Sequence, residues 1–240
     1  MEFMPEHAPL VVLMFLGSIF VLGVAVLAAL FGAFRKHRRL ELGGLAVAAL
    51  LVSGYALVLL GVSLTSHEKT LARGEWKYFC EIDCHVAYSV EDVIQARALG
   101  PETQQTAANG SFFIVRLKTW FDPRTISAHR GNGPLSPNPR RVVLVDDGGR
   151  EYAPSPAGQA ALVKWRGNTT PLTQPLRPGE SYSTDLVFDL PADALHPRLF
   201  LTNDDSVTHI LIGHENAPLH PRIYMGLAPP GSRASRITSN

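Results

Sequence analysis

Residues 35–39 read Arg35-Lys36-His37-Arg38-Arg39 and lie between two long apolar runs, 8–34 and 42–64, neither of which carries a charged side chain. About 20 apolar residues in a helix cross the hydrocarbon core of a bilayer, so each run is long enough to span a membrane. Cationic side chains in a short loop are retained on the cytoplasmic side. The sequence therefore predicts a two-helix transmembrane hairpin whose topology is set by Arg35, Lys36, Arg38 and Arg39.

This topology divides the chain into seven segments. They are a periplasmic N-terminus (1–7), transmembrane helix 1 (8–34), a basic cytoplasmic loop (35–41), transmembrane helix 2 (42–64), a linker (65–75), a periplasmic β domain (76–225) and an extended C-terminal tail (226–240). The first segment contains no Lys or Arg, whereas a cleaved secretory signal begins with positive charge, so we expect the first helix to be a retained anchor. The expected location is the inner membrane of a bacterium, with the bulk of the chain in the periplasm.

Small residues recur at four-residue spacing in both apolar runs: Ala25, Ala29 and Ala33 in the first, Gly44 and Ala48 in the second. Such residues let helix backbones approach closely in lipid. Two interpretations stay open, since the two helices could pack on each other or one face could dock a neighbouring subunit. Neither run contains an ionisable side chain, so a proton pump or transporter is not expected.

The pattern changes after the second helix, where short segments separated by Pro, Gly, Asn and Asp follow one another. A helix is predicted at 90–99, where apolar residues recur near helical spacing. Strands are predicted at 111–121, 141–145, 150–152, 161–165, 182–189, 198–202, 207–212 and 222–225. Turns at 146–149 and 203–205 make hairpins of 141–152 and of 198–212. Short strands in this number favour an antiparallel β-sandwich.

The order of segments, particularly 141–152 and 180–191, resembles the immunoglobulin-like domains of bacterial surface proteins that have no assigned activity. The resemblance covers roughly residues 76–225 and rests on the strand pattern. It implies an all-β domain, an antiparallel immunoglobulin-like β-sandwich, and it implies no particular activity.

Composition and motifs exclude several classes of function. The formal net charge of +1 lacks the basic excess of a nucleic-acid-binding protein. The sequence contains no G-x-S-x-G motif, P-loop, H-E-x-x-H motif or dinucleotide-binding fingerprint. We therefore expect a protein that is not an enzyme.

The segment Cys80-Glu81-Ile82-Asp83-Cys84-His85 holds both cysteines of the chain. In a regular strand, positions four apart lie about 13 Å from each other, beyond the Cα separation of roughly 7 Å that a disulfide allows. Either the two thiols do not interact or the backbone turns between them. In an oxidising compartment a turn would make a disulfide between Cys80 and Cys84 the default.

The same segment resembles the C-x-x-x-C-H variant of the c-type haem attachment motif. That resemblance implies thioether bonds at Cys80 and Cys84, and His85 as the proximal iron ligand. Distal candidates are Met225, His209, His214 and His220. The usual motif has two residues between the cysteines, whereas this chain has three.

The C-x-x-x-C spacing is also similar to the copper site of cytochrome oxidase subunit II and to the chaperones that assemble it. Thiolates suit Cu(I). In the oxidase pattern a His and a Met stand where this chain has Tyr88 and Glu91, and the chaperones have a Pro where it has His85.

These observations lead to one expected function and one alternative. The first is a non-catalytic accessory or scaffold subunit without a cofactor, which binds membrane-protein subunits of a respiratory or photosynthetic electron-transport assembly through its hairpin, sandwich and tail. The alternative is an electron-transfer or copper-handling protein that uses Cys80, Cys84 and His85 with haem c or copper.

Overall fold

The computed structural model describes residues 8–79, 85–127, 129–203 and 205–229. They form two compact units. The hairpin unit consists of the described parts of Met1–His67 together with Asp205–Arg222, and the head consists of the described parts of Glu68–Asp204 and Ile223–Asn240.

The hairpin unit contains two helices, α1 (Ala8–Phe34) and α2 (Arg38–Thr65), both long and apolar enough to cross a membrane. Helix α2 begins earlier than the second apolar run, because the His37 carbonyl accepts hydrogen bonds from the backbone N–H groups of Leu40 and Glu41 at 2.9 and 3.2 Å. The connection is therefore residues 35–37 rather than 35–41, and Arg38 and Arg39 lie in the first turn of α2.

The two helices pack through small residues. A Cβ atom added at Gly44 would lie 2.6 Å from the Ala25 carbonyl oxygen and 2.8 Å from the Ala29 nitrogen, and one added at Gly32 would lie 2.5 Å from the Glu41 nitrogen. Ala25, Ala29 and Gly44 are buried at this contact. Of the other predicted packing residues, Ala48 is half-buried and Ala33 is exposed.

The third part of the hairpin unit is Asp205–Arg222, which contains a short 3-10 helix, Ser206–Ile210. The predicted strand at 207–212, and with it the hairpin with 198–202, is wrong. Asp205 caps the 3-10 helix by accepting a hydrogen bond from the Val207 N–H at 3.1 Å, and this local bond competes with strand pairing.

The head is a β-sandwich of two sheets. Its strands are β1 (Lys69–Leu71), β2 (Lys77–Phe79), β3 (Val86–Leu99), β4 (Thr106–Phe121), β5 (Arg140–Val145), β6 (Glu151–Tyr152), β7 (Ser181–Leu190), β8 (Arg198–Asn203) and β9 (Ile223–Gly226). One sheet has the order β1-β9-β8-β5-β6 and the other β2-β3-β4-β7. All pairs are antiparallel except β1 with β9.

The main core lies between the sheets. Its buried residues include Val90 and Leu117 of the four-stranded sheet and Leu144 and Leu199 of the five-stranded sheet. The predicted two-sheet β domain, the hairpin at 141–152 and the strand at 182–189 are confirmed. Strand β1 lies inside the stretch 65–75 predicted as a linker.

The predicted helix at 90–99 is wrong, because these residues belong to the long strand β3. Its pairing with β4 shifts between Val90 and Asp92 and again between Ala96 and Ala98. The first shift is a bulge with one extra residue in β3, Glu91, so the two-residue alternation is broken and Val90, Val93 and Ile94 fall at helical spacing. At the second shift, residues 108–111 of β4 lie opposite Arg97 alone.

The predicted strand at 161–165 is also wrong, because these residues lie in helix α3 (Pro156–Arg166). The Ser155 hydroxyl caps this helix by accepting a hydrogen bond from the Gly158 N–H at 3.1 Å, and Gly167, at φ 88°, ends it. Helix α3 covers Phe112 and Ile114, on the outer face of β4. That face therefore divides into a half covered by α3 and a half without it.

Candidate functional site

The candidate site lies at the end of the four-stranded sheet where β2 ends, β3 begins and β4 ends. Residues 80–84, which contain Cys80 and Cys84, connect β2 to His85 and lie outside the described residues. His85 is the member of the cysteine segment whose surroundings the structure describes.

His85 is buried, with 3% of its surface exposed, and its ring stacks on Phe121 at a centroid distance of 5.5 Å and an interplanar angle of 11°. The Arg130 guanidinium lies over Phe121, 4.8 Å from the centroid of that ring. The Asp122 N–H donates to the His85 carbonyl at 2.9 Å, which joins the start of β3 to the end of β4. The imidazole is thus held rigidly at this end of the sheet.

The tautomer of His85 follows from its hydrogen bonds. The Thr125 hydroxyl donates its proton to the Asp122 carbonyl at 3.0 Å. The same hydroxyl oxygen lies 2.6 Å from His85 Nδ1, and with the Thr125 proton directed to Asp122 we assign the imidazole hydrogen to Nδ1, which donates it to Thr125. In the neutral imidazole the Nε2 atom then carries the lone pair, which is the atom and the state that bind a metal ion.

A second group of side chains surrounds the Asp122 carboxylate, which is 1% exposed. The Tyr78 hydroxyl donates to it at 2.7 Å, and Arg124 donates from its backbone N–H at 2.9 Å and from its guanidinium Nη2 at 2.8 Å. The pKa of Asp122 is lowered to about 2, first because the Arg124 side chain donates to the carboxylate. Burial raises the pKa of Tyr78, and the bond to Asp122 raises it further.

Arg124 extends from this group towards two tryptophans. Its guanidinium carbon lies 5.5 Å from the centroid of the Trp120 ring, and Trp120 contacts Trp76 at a centroid distance of 5.1 Å. Both indoles are half-buried, and the Arg124 side chain is 74% exposed. Trp and Arg are enriched at protein–protein interfaces relative to the rest of the surface.

An open groove of about 400 Å³ continues this surface; its lining includes Trp76, Arg73, Lys118 and Pro229. Arg73 is fixed by hydrogen bonds from Nε and Nη2 to the Glu91 carbonyl, at 3.1 and 3.0 Å, and by an ion pair with Asp92. The ammonium group of the half-buried Lys118 forms no hydrogen bond or ion pair with any residue that the structure describes. We call Trp76, Trp120, Arg73, Lys118 and Arg124 together the tryptophan surface.

The other predicted ligands lie elsewhere. Met225 is 1% exposed and belongs to the main core, on β9 of the five-stranded sheet, where its side chain packs between the sheets. His209, His214 and His220 lie in the hairpin unit. Among the described residues, no three His, Cys, Asp or Glu side chains form a group that could hold a metal ion.

Sequence reasoning singled out His85 but missed its partner Thr125 and the group around Asp122. Tyr78 and Asp122 are 44 residues apart in the chain, and His85 and Thr125 are 40 apart. The sequence signal that was present is the run Asp122-Pro123-Arg124-Thr125 directly after a strand, in which Asp122 caps a short 3-10 helix, Pro123–Thr125.

No protein-family model and no curated protein matches the chain. Among solved structures, the chain is similar to a conserved hypothetical protein from Bacillus anthracis, with 17% identity and a TM-score of 0.38, over 52% of this chain and 85% of that protein. It is also similar to the yjhA protein from Bacillus subtilis, with 15% identity and a TM-score of 0.39, over 66% and 100%. A third similarity is to the secreted protein MPT63 from Mycobacterium tuberculosis, with 12% identity and a TM-score of 0.41, over 68% and 99%. Similarity at this level carries no statement about function.

Proposed function

We propose that this protein is a non-catalytic accessory subunit, anchored by its helical hairpin, whose head binds a neighbouring membrane protein through the tryptophan surface. The hairpin spans the bacterial inner membrane with Arg35 and Lys36 towards the cytoplasm and the head in the periplasm, as the distribution of cations favours. An electron-transport assembly, respiratory or photosynthetic, is the setting we favour. Two facing sheets whose pairs are antiparallel except β1 with β9 support an immunoglobulin-like class for the head.

One observation carries this proposal: the half of the four-stranded sheet without α3 presents two adjacent indoles beside cationic side chains. Trp and Arg are the residue types that most often dominate binding energy at protein interfaces. Lys118 lies in the groove beside Trp76, and a carboxylate of a partner would give its ammonium group a counter-charge. The expected partner surface is therefore acidic at its rim and apolar at its centre.

Replacing Trp120 with alanine is expected to reduce recovery of the partner at least about tenfold, because loss of an interface tryptophan commonly costs 2 kcal/mol or more. The measurement is blue-native electrophoresis of membranes solubilised in mild detergent, followed by quantification of the co-migrating protein. Trp165→Ala is the matched control, since Trp165 lies on α3, is 48% exposed and stacks with Arg166.

Lys118→Glu is the second variant, because a charge reversal at a half-buried surface position leaves the core unchanged and should weaken binding to an acidic partner. The proposal is wrong if the unmodified protein migrates as a lone monomer. It is also wrong if Trp120→Ala and Lys118→Glu both retain as much partner as Trp165→Ala.

A second function is favoured by the tautomer of His85: Cu(I) binding by Cys80, Cys84 and His85. The donor set fits a soft metal, with two thiolates and one imidazole whose Nε2 holds the lone pair. Thr125 would act as a positioning residue, because it fixes the ring through Nδ1. Because His85 is only 3% exposed, a single ion fits beside it more readily than a haem macrocycle.

Titration of the reduced protein with Cu(I) against a chromogenic chelator tests this second function. We expect one ion per chain, no binding in Cys80→Ser or Cys84→Ser, and an affinity about tenfold lower in Thr125→Val, which removes the partner of Nδ1. Thr106→Val, in a half-exposed position of β4, is the control. Absence of tight Cu(I) binding, or an unchanged affinity in Thr125→Val, would rule out this assignment. A Soret band in the purified protein would indicate haem instead.

A further inference from the structure

The segment Asp205–Arg222 joins two strands of the head, β8 and β9, yet it belongs to the hairpin unit. It is held there by Tyr55 of α2, whose hydroxyl donates to the Ile210 carbonyl at 2.7 Å. The Tyr55 ring also contacts Phe15 of α1 at a centroid distance of 6.3 Å. The segment therefore lies against a fixed position along the two helices.

The position of Tyr55 along α2 gives the depth of this contact. Tyr55 follows Arg39 by sixteen residues, which is about 24 Å along a helix, and the hydrocarbon core is about 30 Å thick. With the arginines of α2 at one boundary of the core, Tyr55 lies about 6 Å inside the other. Tyrosine is enriched in membrane helices near this boundary, and interfacial segments bury their apolar side chains there.

The segment held at Tyr55 exposes three apolar side chains. Val207, Ile210 and Leu219 are 44, 47 and 70% exposed. Leu219 has a φ of 61°, in the left-handed region that leucine rarely adopts, so the turn that displays it is unfavourable for its own backbone. A strained and exposed leucine contributes little to the stability of the fold. Burial in lipid would remove its apolar side chain from water and so be favourable.

Part of the segment's backbone is satisfied by hydrogen bonds within the segment, which lowers the cost of placing it where water is scarce. A hydrogen bond from an N–H to the carbonyl three residues earlier recurs at every third residue. The pairs are Thr208 to Asp205, Leu211 to Thr208, His214 to Leu211, Ala217 to His214 and His220 to Ala217, at 2.9 to 3.4 Å. The Asn216 side chain adds a bond to the Thr208 hydroxyl at 3.0 Å.

From these observations we propose that Asp205–Arg222 is seated in the bilayer boundary opposite the arginine end of α2, with Val207, Ile210 and Leu219 among the lipid acyl chains. The segment is then a third membrane contact of the protein, contributed by the connection between two strands of the head. The proposal rests on the membrane-spanning hairpin of the proposed function, and it does not depend on the tryptophan surface.

Depth-dependent quenching tests this placement. Ile210→Trp and, separately, Leu219→Trp are introduced into the full-length protein, which is reconstituted alone into phosphatidylcholine vesicles with or without bromine on the acyl chains. The added fluorescence, relative to the unmodified protein, is expected to be quenched by the brominated lipid. Leu57→Trp, on the exposed side of α2 two residues from Tyr55, is the positive control, and Leu195→Trp, exposed in the head, is the negative control.

The expected result is that both segment variants lose fluorescence nearly as strongly as Leu57→Trp. If both instead behave like Leu195→Trp while Leu57→Trp is quenched, the segment is not in lipid, and a protein partner or water covers it. If Leu57→Trp is also not quenched, the membrane-spanning hairpin itself is wrong and the inference fails with it. The two failures are therefore distinguishable.

Discussion

Replacing Lys77 with methionine is expected to destabilise the head by about 3 kcal/mol. Lys77 is 6% exposed and lies on β2 of the four-stranded sheet, but its ammonium group donates to the carbonyls of Leu201 and Ile223, both at 2.8 Å, on β8 and β9 of the other sheet. One side chain thus ties the two sheets together across the sandwich. Methionine keeps the length of the side chain and donates no hydrogen bond, so both carbonyls lose this donor.

The aromatic surroundings of Lys77 enlarge the expected loss. Its Nζ lies 5.3 Å from the centroid of the Phe79 ring and 5.2 Å from that of Phe200, so cation–π attraction is lost together with the hydrogen bonds. Guanidinium unfolding of the full-length protein in detergent, followed by near-ultraviolet circular dichroism, measures the change. Lys164→Met is the matched control, because Lys164 is exposed on α3. We expect the free energy of unfolding of this variant to lie within about 0.5 kcal/mol of that of the unmodified protein. Equal stability of the two variants would show that Lys77 does not join the sheets.

Gly110→Ala is expected to lower the free energy of unfolding by at least about 3 kcal/mol, although it adds a single methyl group. A Cβ atom at this position in β4 would lie 2.5 Å from the Leu190 carbonyl oxygen, 2.7 Å from the Ala192 nitrogen and 2.8 Å from the Pro191 carbonyl carbon. All three are backbone atoms at the end of β7, so no side-chain rotation relieves the contact. Relief requires β4 and β7 to separate where Ser111 pairs with Leu190.

The control for this substitution is Gly133→Ala, where an added Cβ meets nothing within 4 Å. Alanine there is expected to leave the unfolding midpoint unchanged or slightly higher, since it reduces the conformational freedom of the unfolded chain. The same guanidinium titration compares the two variants. A Gly110→Ala protein as stable as Gly133→Ala would contradict the close approach of the two strands.

Part of the candidate site could be predicted from local sequence. His85 stood out because it follows two cysteines at a short spacing, and Asp122 and Pro123 form a local capping signal after a strand. Lys77, Tyr78 and Arg73 gave no such signal, because their partners are distant in the chain. Lys77 contacts residues 124 and 146 positions away, and whether a lysine faces water or two carbonyls depends on which strands lie opposite it.

The errors in the strand assignment have a similar cause. The two register shifts between β3 and β4 are properties of their pairing, so residues 90–99 lose the alternation that identifies a strand. Residues 161–165 are apolar because they cover Phe112 and Ile114, and a short apolar stretch does not by itself distinguish a helix from a strand. In both cases the deciding neighbour is elsewhere in the sequence.

The sequence by itself determined the two long apolar helices, the cationic turn between them and the two-sheet character of the head, because each depends on a periodicity or a charge run within one segment. Only the tertiary structure decided that Lys77 joins the sheets, that Trp76 meets Trp120 beside Arg124, and that Asp205–Arg222 leaves the head to lie against Tyr55. The physical reason is that these contacts join residues brought together by strand pairing and helix packing, and their energy depends on burial and geometry that no local pattern encodes.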